Sequence, residues 1–273
     1  MSTTAITAEL AATRTRTPRR PRLVSAELLK LRKRRGLVIT GLALTVLPML
    51  IAYTVLLIVH AVNPDKHGPA GGIENLSGSM DLLTTLSVVT AILIGATLGA
   101  GDLSAGVFRE LVVTGRSRLA LFAARIPAGL ALLWVIVGAG FAVTAIGSTV
   151  FAGSLKAPSA GLLLETAAWL GLVGGLALVL ALGVSSAIGS RGTTIGVVLG
   201  WQIVAVPVLL EIKTLGSLRE ALAGAATGRL APAALFDGAP TVPISLAATV
   251  AVIVVWAVVP LAVGAWRTAT RDA

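Results

Sequence analysis

The sequence predicts an all-α integral membrane protein: six transmembrane helices, an interfacial helix before them, and a cytoplasmic helix-turn-helix between spans two and three. Three observations carry this expectation. Of 273 residues, 56% are hydrophobic and 12% charged, whereas soluble domains use about 25% charged residues to cover their surface. Thirty glycines stand beside only 4% aromatics, a composition that lets helix backbones approach closely in lipid. Apolar runs of about 20 residues, enough to cross a bilayer at about 1.5 Å per residue, recur along the whole chain. A soluble multidomain enzyme is excluded. The absence of cysteine also removes disulfides, thiolate metal sites and thiol nucleophiles.

Taken in order, residues 1–22 form a basic tail, including A-A-T-R-T-R-T-P-R-R, expected to be disordered against anionic lipid rather than to act as an organellar transit peptide. No cleavable signal peptide is expected, because residues 1–36 lack an apolar core. Residues 23–36 read as an interfacial helix. Leu23, Val24, Leu28 and Leu31 cluster on one side, Lys30 and Arg34 can face headgroups, and Glu27 and Lys30 are spaced as an i,i+3 pair. A simple positive flank is the alternative.

The spans are expected at Leu37–Val62, Leu82–Gly101, Ile126–Ala152, Thr166–Ile188, Thr193–Leu210 and Ile244–Trp266, a transmembrane domain of residues 37–266 followed by a tail at 267–273. Pro207 removes a backbone donor, so the fifth span is expected to kink or stop early. With six spans both termini share one side. That side carries 17 Lys and Arg against 5 on the other, which places both termini in the cytoplasm and the chain in the cytoplasmic membrane. The positive excess therefore lies at membrane edges and points to lipid, not nucleic acid.

Most sites for chemistry are missing. No G-x-x-x-x-G-K-[ST] loop is present to cradle a nucleotide, so any ATP dependence must come from a partner. Two histidines leave little for metal binding, and the span centres hold no ionisable residue of the kind that marks an ion-driven carrier. Asp102, Glu165 and Glu211 fall at span ends, where a solvated or capping role is expected. Asn75-Leu76-Ser77-Gly78 reads as an ordinary turn in a hydrophilic loop. Gln202, just inside the fifth span, is either an interhelical hydrogen-bonding group or a cavity-lining one.

Small residues recur four apart at Gly95 and Gly99, at Gly171 and Gly175, and at Gly192, Gly196 and Gly200. Each set lies on one helix face and favours close contact, within a subunit or across a dimer. The last set is the expected subunit contact.

Between the second and third spans, Leu103, Val107 and Leu111 make an apolar stripe with Arg109 and Glu110 pointing elsewhere. Thr114-Gly115-Arg116 reads as a turn and Ser117 as the N-cap of the next helix. Arg118 and Arg125, seven apart, are expected to share a face at the membrane surface. This arrangement suits the docking of a soluble partner; a plain amphipathic loop is the alternative.

With the basic helix and six spans, G-V-F-R-E-L-V-V-T-G-R-S-R at Gly106 to Arg118 resembles a type-2 ATP-binding-cassette (ABC) exporter permease. Gly106, Leu111, Val112 and Arg118 match that family's loop pattern, while Val107 replaces its common threonine and the frequent turn proline is absent. The resemblance implies a transmembrane subunit that pairs with itself or a sister permease. It implies docking of ATP-binding subunits through Asp102, Gly106, Arg109, Glu110, Leu111, Gly115, Arg116 and Arg118, within a coupling region at residues 102–118. It also implies that this chain holds no cofactor, ATP and Mg residing in the partner, and that export draws on the partner's hydrolysis. Residues 216–240 would then re-enter the membrane before the last span, with a covered extracellular loop as the alternative. Scarce charge in the spans favours a hydrophobic or amphipathic cargo such as a drug, antibiotic, peptide or lipid. The competing reading is a non-transporting structural or immunity-type membrane protein.

Overall fold

The computed structural model describes residues 23–104, 117–236 and 242–270, with the side chains of 102–104 outside that set. Helix α1 (Leu23–Lys33) leads through Arg34 into α2 (Arg35–Thr45) and α3 (Leu47–Val62). The break between α2 and α3 is shallow. Val46 keeps helical angles (φ −91°, ψ −47°), and Pro48 sits in the first turn of α3, where a missing N–H leaves no intrahelical bond unmade. Together they form one candidate span, Arg35–Val62.

The second span is α4 (Gly72–Ser104), 33 residues and roughly 50 Å long, well beyond a hydrocarbon core of about 30 Å. Its first two turns contain Asn75–Gly78, so the expected turn there is corrected to helix. Polar Glu74, Asn75, Ser77 and Asp81 lower the local hydropathy, yet Leu76, Met80 and Leu83 keep helical spacing and are fully buried. Ser77 Oγ donates to the carbonyl of Leu235, and Asn75 Nδ2 donates to the carbonyls of Pro69 (3.1 Å) and Gly71 (2.9 Å).

Helix α5 (Arg118–Val150) begins at Ser117, whose hydroxyl accepts the Ala120 N–H at 3.2 Å, the cap expected from sequence. Helix α6 (Ala160–Ile188) is capped by Ser159 and ends at Gly189 in the left-handed conformation (φ 79°). The fifth span, Arg191–Glu211, does not stop early. Helix α7 (Arg191–Leu199) passes through a π-helical turn, Gly200–Ala205, into α8 (Val206–Glu211). Pro207 cannot donate to the carbonyl four residues back, and the wider turn absorbs that mismatch, Val206 N–H reaching the carbonyl of Trp201.

Two short helices follow: a 3₁₀ segment at Lys213–Ala221, broken at Gly216 (φ 54°, ψ −128°), and α9 (Ala223–Arg229). Ala223, Ala225 and Ala226 are buried, and α9 packs against α10 (Leu246–Thr270), α6 and α8. Indole N–H groups tie this region down: Trp256 Nε1 to the carbonyl of Ala221 and Trp169 Nε1 to that of Thr227, both at 2.9 Å. Trp169 also packs on Phe236, their centroids 4.9 Å apart.

Among the described residues, six helical stretches are long and apolar enough to cross a membrane. The second and fourth form the centre of the bundle, while the first, fifth and sixth turn most of their apolar surface outward. A soluble protein would not expose so much contiguous apolar area. The most extensive helix contact joins α4 and α6. A Cβ added at Gly95 would lie 2.4 Å from the carbonyl oxygen of Leu178, and one at Gly99 2.7 Å from that of Leu182. Gly183 likewise meets the carbonyl of Pro260 on α10, at 2.2 Å from such a Cβ. Glycine is required at these three crossings because backbone faces backbone.

Candidate functional site

The end of the bundle at which α1 and the C-terminus of α10 lie, here the proximal end, carries a cluster of basic residues: Lys30, Arg32, Lys33, Arg34 and Arg35 from the first two helices, with Arg118 and Arg267. Arg118, the first residue of α5, ties that helix to the C-terminus of α10, its Nη1 donating to the carbonyl of Ala269 at 3.4 Å. Helix α1 packs along α5 and turns Glu27 and Leu31, four residues apart, toward the bundle, leaving Val24 and Leu29 exposed. Lys30 Nζ lies 3.3 Å from both carboxylate oxygens of Glu27, the pair expected from the i,i+3 spacing. Glu27, Lys30 and Arg34 line a small crevice with Thr97 and Leu98 of α4. The Arg34 guanidinium fills the space beside Gly101, where an added Cβ would lie 3.0 Å from Nη2.

Of the expected docking residues, Asp102 lies in the last turn of α4, and Arg118 is the first residue of α5. Gly106, Arg109, Glu110, Leu111, Gly115 and Arg116 lie outside the described residues.

Arg125 requires a correction. It does not share a membrane-surface face with Arg118 but is 2% exposed, and its Nη1 donates to the carbonyl of Gly99 at 3.5 Å. The reason is visible in its neighbours: Ala124, Ala128 and Gly129 put a small-residue face of α5 against α4, and Arg125 lies on it. A run of small residues flanking a lone arginine, A-A-R-I-P-A-G, was the signal available in the sequence.

The three glycine sets separate in the structure. Gly95 and Gly99 make the close α4–α6 contact described above. Gly171 and Gly175 do not bring backbones together: Trp134 and Leu130 of α5 sit at ordinary contact distance, 3.4 and 3.5 Å from an added Cβ. With Gly138 they shape an apolar groove of about 580 Å³ between α5, α6 and α10, walled by Trp134, Phe141 and Ile253. Among the described residues, Gly192, Gly196 and Gly200 meet nothing within 4 Å, and they lie on an exposed face with Val197 and Val204. Gln202 is half-buried in the π-helical turn and is not among the residues that line the groove. Its neighbour Trp201 stacks on Trp256 of the sixth span at 5.9 Å. Among the described residues, no group of three His, Asp or Glu gathers to hold a metal.

A search of curated proteins returns no match. The family model described as "ABC-2 family transporter protein" matches residues 23–210, from the start of α1 to within one residue of the end of α8. The chain belongs to the ABC-2 transporter family. It is accordingly a membrane-embedded permease of an ABC transporter, a family whose permeases work with an ATP-binding partner. The sixth span lies beyond the matched residues, yet the Gly183–Pro260 crossing packs it into the same bundle as the ABC-2 segment.

Proposed function

We propose that this ABC-2 permease is the membrane-spanning subunit of an exporter, using ATP hydrolysed with Mg on a separate partner to move a hydrophobic or amphipathic cargo out of the cell. The observation that carries the reading is the family match through five of the six spans, in a chain with no phosphate-binding loop of its own. Partner docking is assigned to residues 102–118, including Asp102, Gly106, Arg109, Glu110, Leu111, Gly115, Arg116 and Arg118. The excess of Lys and Arg on the side of the termini supports a cytoplasmic proximal end in the cytoplasmic membrane.

The open face of Gly192, Gly196 and Gly200 supports pairing through the fifth span, with a second copy or a sister permease, because nothing among the described residues covers it. The apolar groove and the rarity of charge in the spans support an apolar cargo. The two short helices that cover residues 213–229, overlapping the expected 216–240 segment, pack against span helices on several sides, which supports a segment that re-enters the membrane.

The test is purification of the tagged chain from its native cells in mild detergent, with partners identified by mass spectrometry and ATP hydrolysis assayed. A stoichiometric ATP-binding subunit with activity is expected. Arg109→Glu and Glu110→Arg should each reduce its recovery several-fold at equal expression. A stable oligomer without ATPase, under conditions that preserve related complexes, would establish the non-transporting alternative.

A further inference from the structure

Arg125 is the largest fully buried side chain among the described residues. It lies about 10 Å along α5 from Arg118, in a face of small and apolar residues, where a charge is costly unless the protein gives it partners. An apolar side chain of similar volume would fill the same space, and such replacements of buried charge are often neutral or stabilising. Arg125 therefore does something that packing alone does not require.

Its contacts show what that is. Nη1 reaches the carbonyl of Gly99 inside the last two turns of α4. One turn earlier, Ser185 Oγ of α6 donates to the carbonyl of Ala96 at 2.8 Å, and Gly99 itself lies against the backbone of Leu182 and Ser186. Two residues later, Arg34 covers Gly101. The proximal end of the second span is thus held by α6 through a hydroxyl and a close backbone contact and by α5 through Arg125, with the Arg34 guanidinium of the α1–α2 junction lying beside Gly101. The residue after Gly101 is Asp102, where the proposed docking region begins.

We propose that Arg125 is a positioning residue for transport. Its guanidinium clamps the end of the second span to the third, so that a push on the segment beginning at Asp102 moves both spans together and is not lost as unwinding of the last turns of α4. This rests on the docking reading above, and its structural half can be tested without a partner.

The experiment compares the wild-type full-length chain with R125M and R125K in lipid nanodiscs by hydrogen exchange of peptides covering residues 96–104, and then measures ATP hydrolysis of the copurified complexes. In R125M, exchange at residues 99–104 should rise about tenfold, the size expected when a charge-assisted hydrogen bond is lost, with α9 and the middle of α6 unchanged. The R125M complex should keep its ATP-binding subunit and lose about tenfold in hydrolysis per complex, while R125K, which keeps charge and a donor, should stay within about threefold of wild type in both assays. Wild-type exchange in R125M, or R125K impaired as deeply as R125M, would overturn the proposal, the second because shape and not charge would then matter. Should R125M fail to accumulate, R125Q takes its place: impairment relative to R125K supports the clamp, and equality with R125K overturns it. A wild-type chain with no copurifying ATP-binding subunit would instead overturn the docking reading, leaving the exchange result to decide the clamp itself.

Discussion

Gly138 and Gly140 sit two residues apart on α5 and should respond oppositely to the same added methyl group. At Gly140 a Cβ would lie 2.5 Å from the carbonyl oxygen of Thr45 and 3.0 Å from Leu83 Cδ1. Ordinary contact begins near 3.4 Å, so α2 and α5 must separate by about 0.9 Å at this crossing. Thr45 is fully buried and its Oγ1 donates to the carbonyl of Ile136 at 3.1 Å, a bond between the first and third spans that the same displacement strains. Overpacking of this kind costs about 1–3 kcal/mol, and an interhelical hydrogen bond in a membrane is worth about 0.6 kcal/mol. The gain from replacing a mid-helix glycine by alanine, about 0.5–1 kcal/mol, offsets only part of that. Gly140→Ala should therefore lower stability by about 1–3 kcal/mol. At Gly138 nothing lies within 4 Å, so Gly138→Ala should raise it by about 0.5–1 kcal/mol. Reversible unfolding of the full chain in mixed detergent micelles, followed by the fluorescence of its five tryptophans, measures both. Shifts in the same direction, or a neutral Gly140→Ala, would refute the helix crossing described here.

Two further predictions concern other glycines. Gly196→Leu should leave the fold of one chain unchanged, since the position is open, but reduce oligomer size in detergent if the fifth span joins subunits; unaltered size by light scattering would sink that interface. Gly216→Ala forces a side chain into a backbone conformation (φ 54°, ψ −128°) that only glycine adopts readily. At a cost of order 1–3 kcal/mol, it should speed hydrogen exchange in α9 and the preceding 3₁₀ segment, and unchanged exchange there would count against the described turn.

The membrane class, the approximate spans and the N-cap at Ser117 are legible in the sequence because each depends on a local run or a single side chain. The first two turns of α4 are not, because Glu74, Asn75, Ser77 and Asp81 hide a helix whose apolar stripe is buried by residues distant in sequence, with Leu235 beside Ser77 and Gly140 beside Leu83. The charged end of the candidate site is legible in part. The Glu27–Lys30 pair follows from spacing, whereas Arg125 is marked in sequence only by the small residues around it. Its burial depends on which face of α5 meets α4, and that is set by three-dimensional packing.

Sequence alone determined that the bilayer is this protein's solvent and roughly where the chain crosses it, because hydropathy sums along neighbouring residues whatever lies beyond them. Tertiary structure alone decided what the glycines do. Gly95 with Gly99, Gly171 with Gly175, and Gly192 with Gly196 share one spacing, yet the first pair seats backbone on backbone, the second shapes a groove beneath Trp134, and the third faces nothing among the described residues. Four-residue spacing specifies a helix face without a side chain; what occupies the space left behind depends on the helix that arrives opposite it.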